Sequence, residues 1–232
     1  MTVRTLTTSL ILGVFLAAFG FSQDQGESGK VEKPAIPVYI TPYYNSEGLK
    51  ISVGEHSKEL AGADAKTILQ LSAKLKKQKD KLRAEVMYVA AIRLYDLGHK
   101  DEAVYWFYSA QYRARVFSSI LDKDKIGSIG DEPFELKQAY NSFNQLSGTY
   151  INGYAFGELG KLETTLSKVV EESKSIPKYG DLYSKVNFVP EETWEEKNKE
   201  TSKGLTGMIE YIKANADSIK AQRKKNGIDG KY

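Results

Sequence analysis

Acidic, hydroxyl and imidazole groups occur here in patterns that could do chemistry. In "DKDKIGSIGDEP", Asp122, Asp124, Gly127 and Ile129 stand at positions 1, 3, 6 and 8 of a calcium-binding loop. Ile126 at position 5 and Pro133 at position 12 remove two ligands, the bidentate glutamate among them, and Glu132 comes one residue early. The stretch reads as a helix–helix loop, with no metal expected. Of the 2 histidines, His99 falls in a turn. His56 lies in "EHSKE", where it could serve as a base beside a hydroxyl. A nucleophile–base pair needs a third, orienting group and an oxyanion site, and the sequence displays neither. The carboxylate pairs Glu171/Glu172 and Glu195/Glu196 sit in charge-rich helical stretches, where solvated faces are the ordinary explanation. No HExxH, GxSxG, P-loop or GxGxxG pattern occurs. The chain is read as non-enzymatic, with no catalytic residue and no cofactor. A carboxylate-based glycan hydrolase needs no motif, so a cell-wall-acting hydrolase stands as an alternative.

Recognition is the other chemistry the residues offer. On a helix of 100° per residue, Ala103, Phe107, Ala110 and Ala114 share one face, and Tyr105, Tyr108, Tyr112 and Val116 share the opposite one. A helix apolar on both sides must be covered on both sides. Either another helix of the same chain covers the tyrosine face, or a partner does. In the second case Tyr105, Tyr108, Tyr112 and Arg113 are binding residues, a composition enriched at interface hot spots.

The elements that position these residues follow from periodicity. Arg4, an apolar run over residues 10–21 and the polar "SQDQGES" form a signal-peptide pattern, with cleavage expected after Gly20 or Ser22. A polar lead (residues 23–37) is expected to be flexible. Residues 38–41 and 49–53 are β-prone runs flanking "NSEG", and predict a β-hairpin over 38–53. From Asp64 the pattern is helical. Ile68, Leu71, Leu75 and Leu82 trace a first helix; a second ends at Gly98, a third spans about 101–121, and three more follow. The reading is a mainly α chain of about six helices over residues 38–232, with a small N-terminal hairpin.

Composition bounds the function. Removing residues 1–22 takes one Arg from a formal charge of +3, leaving +2. Charges are mixed along the chain, which argues against nucleic acid, since phosphate binding needs clustered cations. The apolar run is too short for a stable membrane span. With 0 cysteines there is no disulfide framework, so stability must come from a helical core.

Around Gly98, residues Ala91, Leu94, Gly98, Ala103, Phe107 and Ala110 fall at the spacing of a tetratricopeptide repeat, and residues 85–117 resemble one such helical pair. Arg115 departs from the family's usual Pro, and "ELGKLETTL" at Glu158 is a degenerate echo. The resemblance implies close antiparallel helices, with ligands lying on the concave face of the first helix. The matching positions are Tyr88, Ile92, Tyr95 and Asp96. The expected function is an exported bacterial periplasmic protein that binds another protein as a scaffold or adaptor. An immunity protein that neutralises a secreted toxin is the runner-up.

Overall fold

The structure is a computed structural model that describes residues 34–232. The expected signal peptide and most of the lead lie outside the described residues. Strands β1 (Tyr39–Ile40), β2 (Tyr44–Asn45) and β3 (Lys50–Ile51) come first. The helices are α1 (Ser57–Gly62), α2 (Thr67–Lys76), α3 (Ala84–Asp96), α4 (Lys100–Ile120), α5 (Glu132–Ala155), α6 (Leu159–Glu172), α7 (Tyr179–Leu182), α8 (Trp194–Ala214) and α9 (Ala216–Lys225). Among the described residues, none of these is long and apolar enough to cross a membrane.

The fold is mainly helical, as the periodicity predicts, but the β element differs. It is a three-stranded antiparallel meander in the order β1-β2-β3, with Ile40 opposite Tyr44 and Tyr44 opposite Ile51. The chain reverses once at residues 41–43, where Tyr43 N–H bonds the Ile40 carbonyl, and again at "SEG". Pro42, which has no N–H to donate, stops the first run early, and a third strand forms inside what reads as a single turn. The end of the lead is also tied down. Ile36, Val38 and Ile40 are buried, while Ala35, Pro37 and Tyr39 are exposed, the period-2 alternation of an extended segment on a core.

Local signals explain the helix boundaries. Asp64 accepts from the Thr67 and Lys66 N–H groups and the Thr67 hydroxyl, which caps the start of α2. The expected first helix breaks before Leu82, where a 3₁₀ turn (Lys79–Lys81) intervenes. Helix α3 ends in a Schellman motif, with His99 N–H bonding the Leu94 carbonyl and Gly98 N–H bonding that of Tyr95. Gly98 has φ +85° there, which costs a glycine little. Asp101 and Glu102 occupy the first turn of α4, the positive end of the helix dipole.

Two buried arginines join the elements. Arg93 donates to the Leu60 and Ala63 carbonyls at the end of α1, and Arg113 to the Leu82 and Lys79 carbonyls before α3. Arg93 thereby serves carbonyls at the end of a short helix, and Arg113 adds a second donor to the Lys79 carbonyl, which also accepts the Leu82 N–H.

Helix α4 packs against α3, α5, α6 and α8 and is buried along most of its length. Phe107 lies 6.0 Å edge-on from Tyr88 and reaches the backbone of α5 at Gly148. Ala91 and Ala103 are fully buried, in two helices joined by the three residues 97–99. Small side chains let such a pair approach closely. Replacing Ala103 with Leu should overpack this seam and cost about 1–3 kcal/mol. Urea unfolding of the full chain measures it; a loss below the error of the method would show that the seam has room.

Candidate functional site

The residues expected to bind a partner are mostly consumed by the core. Tyr88, Ile92 and Tyr95 are buried. The Tyr88 ring stacks on Phe143 at 4.9 Å, and its hydroxyl donates to Asn144. Tyr95 meets Tyr150 edge-on at 6.5 Å. Asp96, partly exposed, accepts from the Ile36 N–H at 3.0 Å and the Tyr44 hydroxyl at 3.1 Å. These positions therefore form no open concave face. Repeat arrays leave that face free, whereas here α5 and the N-terminal extended segment lie over it.

The tyrosine face of α4 is likewise covered by the chain itself. Tyr105 donates to Glu172 on α6 at 2.6 Å, Tyr108 to Asn152 on α5 at 2.9 Å, and Tyr112 to Asn198 on α8 at 2.9 Å. All three rings are buried. Arg113, also buried, is the carbonyl clamp described above, so its first task is internal.

What stays accessible is the margin of this face. A crevice opens where the 3₁₀ turn, α4, α8 and the chain after α6 meet, and Lys79, Ser109, Tyr112, Arg113, Glu172 and Asn198 are among its walls. Three ammonium groups surround the Tyr105 ring beside it: Lys76 at 4.4 Å, and Lys79 and Lys168 each at 4.9 Å from the centroid. This is cation–π geometry. Lys79 bonds Glu172 at 2.7 Å, Lys168 lies 3.8 Å from it, and Lys76 pairs with Glu102 at 2.6 Å. Burial pushes the Lys79 ammonium below its usual range, against the pull of Glu172. Burial works to raise the Glu172 carboxyl, but the bonds from Lys79 and Tyr105 outweigh it and hold the group below its ordinary value. Burial pushes the Tyr112 phenol up to about 12. Glu172 therefore stays ionised and Tyr112 neutral at pH 7, and Lys79 faces the Glu172 carboxylate as its partner.

The charged groups in the crevice wall balance: Lys79 and Arg113 stand against Glu172 and Asp80. Lys168, over the Tyr105 ring, lies beside them. Ser109 Oγ is buried at the crevice, where its hydroxyl faces the Tyr105 phenol oxygen.

Sequence reading missed this constellation. Lys76 and Lys79 belong to "KLKKQKDK", which shows only a charged helix face. Lys168 and Glu172 stand one turn apart on α6, and nothing local ties them to Tyr105. The other groups weighed for chemistry have structural partners. Ser57 Oγ accepts from Val53 N–H and donates to the Gly54 carbonyl, closing a turn. His56 is buried between Glu55 and Glu59, at 3.4 and 3.5 Å. Its Nδ1 has no hydrogen-bond partner in the chain. His99 bonds the Ala65 carbonyl. Asp122 accepts from Asp124 N–H and pairs with Lys125 at 3.1 Å. Glu171 and Glu195 pair with Lys174 and Lys199 on the surface. Among the described residues, no group of three or more His, Asp or Glu side chains is placed to hold a metal ion.

No family model matches the chain, and no solved structure matches it. It is similar to a protein of Haemophilus influenzae described as uncharacterized, at 29% identity over 130 residues. The match spans 54% of this chain and 48% of that relative, about half of each.

Asp96 offers a measurable consequence of the covered face. Burial raises its carboxyl to about 6 from an ordinary 3.8, against the bonds from Ile36 and Tyr44. The native state then holds the proton more tightly than the unfolded chain. This contribution is greatest below pH 4 and falls as pH rises through about 6. Asp96→Asn should stabilise the protein at pH 7 by about 1–2 kcal/mol, less than the full linkage value because solvent screens a partly exposed group. It should also flatten the stability profile between pH 4 and 6. Thermal melts of both proteins across that range test this; a variant less stable at pH 7 with an unchanged profile would contradict it.

Proposed function

We propose that this is an exported, non-enzymatic bacterial protein that binds another protein through the basic margin around Tyr105. The observation that carries the reading is the cluster of three ammonium groups on one tyrosine ring, beside a surface crevice. Lys168 is about half exposed and Lys76 about a third. Both are available to a partner, and cations over an aromatic surface supply charge complementarity to an acidic one. The α3–α4 hairpin, with its Schellman turn and buried alanines, supports reading that segment as a single tetratricopeptide-like unit used as scaffold. The signal-peptide pattern of Arg4 and residues 10–21 supports export, and a relative in a bacterium agrees with a bacterial setting.

Site-specific crosslinking in the native host tests both location and surface. A photoreactive side chain at position 168 should give a discrete adduct in the periplasmic fraction. That adduct should fade with rising salt and disappear in Lys76→Glu. The same probe at Ile129, an exposed loop residue far along the chain, should give none. Identical adducts from both positions, or recovery of the protein only from the cytoplasm, would sink the reading.

A further inference from the structure

We propose that residues 226–232 form a displaceable strap, which covers a docking seat for an aromatic side chain of a protein partner. The seat is built by Tyr95, Tyr150 and Gly153. None of these lies in the margin around Tyr105, so the inference goes beyond the reading above and does not rest on it.

The seat begins with a missing side chain. Gly153 lies near the end of α5, and the Tyr232 ring fills the space beside it: a Cβ at Gly153 would fall 2.5 Å from that ring. Gly157, just past the end of α5, leaves similar room for Arg223, whose guanidinium would stand 3.4 Å from a Cβ there. Tyr150 meets Tyr232 edge-on at 6.1 Å and Tyr95 edge-on at 6.5 Å, the spacing that aromatic pairs prefer. Burial and then the Tyr232 phenol push the Tyr95 phenol up to about 12. One ring from α3, one from α5 and one from the strap thus gather over a single glycine.

The seat is fixed and its occupant is lightly held. Tyr95 is buried in the core. Within 226–232, Ile228 and Tyr232 are half-buried and the other five residues are exposed. Helix α9, which carries the strap, has no fully buried side chain. Segments with so little buried apolar surface open at small cost. Gly227 (φ +62°) and Gly230 (φ +78°) turn the chain back towards α5, in conformations that cost a glycine little. Arg223, 12% exposed, anchors the return by donating to the Gly153 carbonyl at 2.8 Å and to Asp229 at 3.2 Å.

The occupant also identifies the ligand. Tyr232 meets the seat through its ring, edge-on to Tyr150 and against Gly153, so the competing group is an aromatic side chain on a partner's peptide segment. With the strap down, the partner's apparent affinity falls by the fraction of time the seat is closed.

The test uses the full chain and a labelled peptide with the sequence of residues 226–232. In the wild type the tethered strap competes at an effective concentration in the millimolar range, so the peptide should bind the Tyr232→Ala chain roughly tenfold more tightly. A Tyr232→Phe peptide should bind that chain as well as the native peptide does, and a Tyr232→Ala peptide should not bind. Alanine is a good helix former, so Gly153→Ala fills the seat and leaves α5 intact. In that variant, hydrogen exchange of the Lys231 amide, bonded to the Ile228 carbonyl in the closed strap, should rise about tenfold while α5 stays protected. The chain carrying both Gly153→Ala and Tyr232→Ala should bind no peptide. Equal binding by the wild type and Tyr232→Ala, or binding by neither, would overturn the proposal. Strap exchange in Gly153→Ala at the wild-type rate would do the same. So would a melting temperature lowered as far by Tyr232→Ala as by Ala103→Leu, since Tyr232 would then belong to the core.

Discussion

The structure depends on one constraint, that α4 is apolar on both flanks and carries a polar hydroxyl at the tip of each tyrosine. Burying such a helix removes water from two faces at once, and every hydroxyl taken inside must then find an acceptor. The chain meets this by surrounding α4. Its alanine and Phe107 side lies against α3 and α5, and its tyrosines reach Glu172, Asn152 and Asn198 on three separate helices. Trp106 donates to Ser72 on α2, which in turn donates to Glu102 on α4 itself. The polar tips thus set the positions of α2, α5, α6 and α8 around a common axis. Area burial alone is non-directional and would not do so.

The same constraint accounts for the lack of an open groove on α3. A helical pair with its first helix exposed needs a polar concave face, and here Tyr88, Ile92 and Tyr95 are too apolar to leave uncovered. Helix α5 supplies Phe143 and Tyr150, and the segment through Ile36 and Tyr44 closes the end at Asp96. At the N-terminus of α3 a second buried polar group is paired. Buried Glu85 accepts from the Tyr140 hydroxyl at 2.9 Å and lies 2.6 Å from Arg83. Access to the molecule's polar interior is left at the margin, where the lysines of α2, the 3₁₀ turn and α6 meet Tyr105.

Much of this was legible from spacing alone. Helix type and approximate extent follow from the 3.6-residue period, and Gly98 and Asp64 mark boundaries by known capping chemistry. The two-sided character of α4 was also visible, together with its consequence that both faces are covered. Identifying the cover was out of reach, because Asn152 and Asn198 lie 44 and 86 residues from their tyrosines and nothing local distinguishes them from surface asparagines. The short α1 and α7, of six and four residues, are below the length at which periodicity speaks. The candidate site was hidden for the same reason as the cover. Lys76, Lys79 and Lys168 look like solvated charges one at a time, and only the packing of α6 on α4 sets them on one ring.

Native-state hydrogen exchange of the full chain measures the central constraint most directly. If α4 is the axis on which the other helices are fastened, amides of its interior should open only with global unfolding. Their opening free energy should then equal that from urea denaturation, while α9, which has no fully buried side chain, exchanges through local opening. Exchange of α4 amides at a free energy well below the global value, with α3 and α5 still protected, would show that the fold stands without it and would contradict this picture.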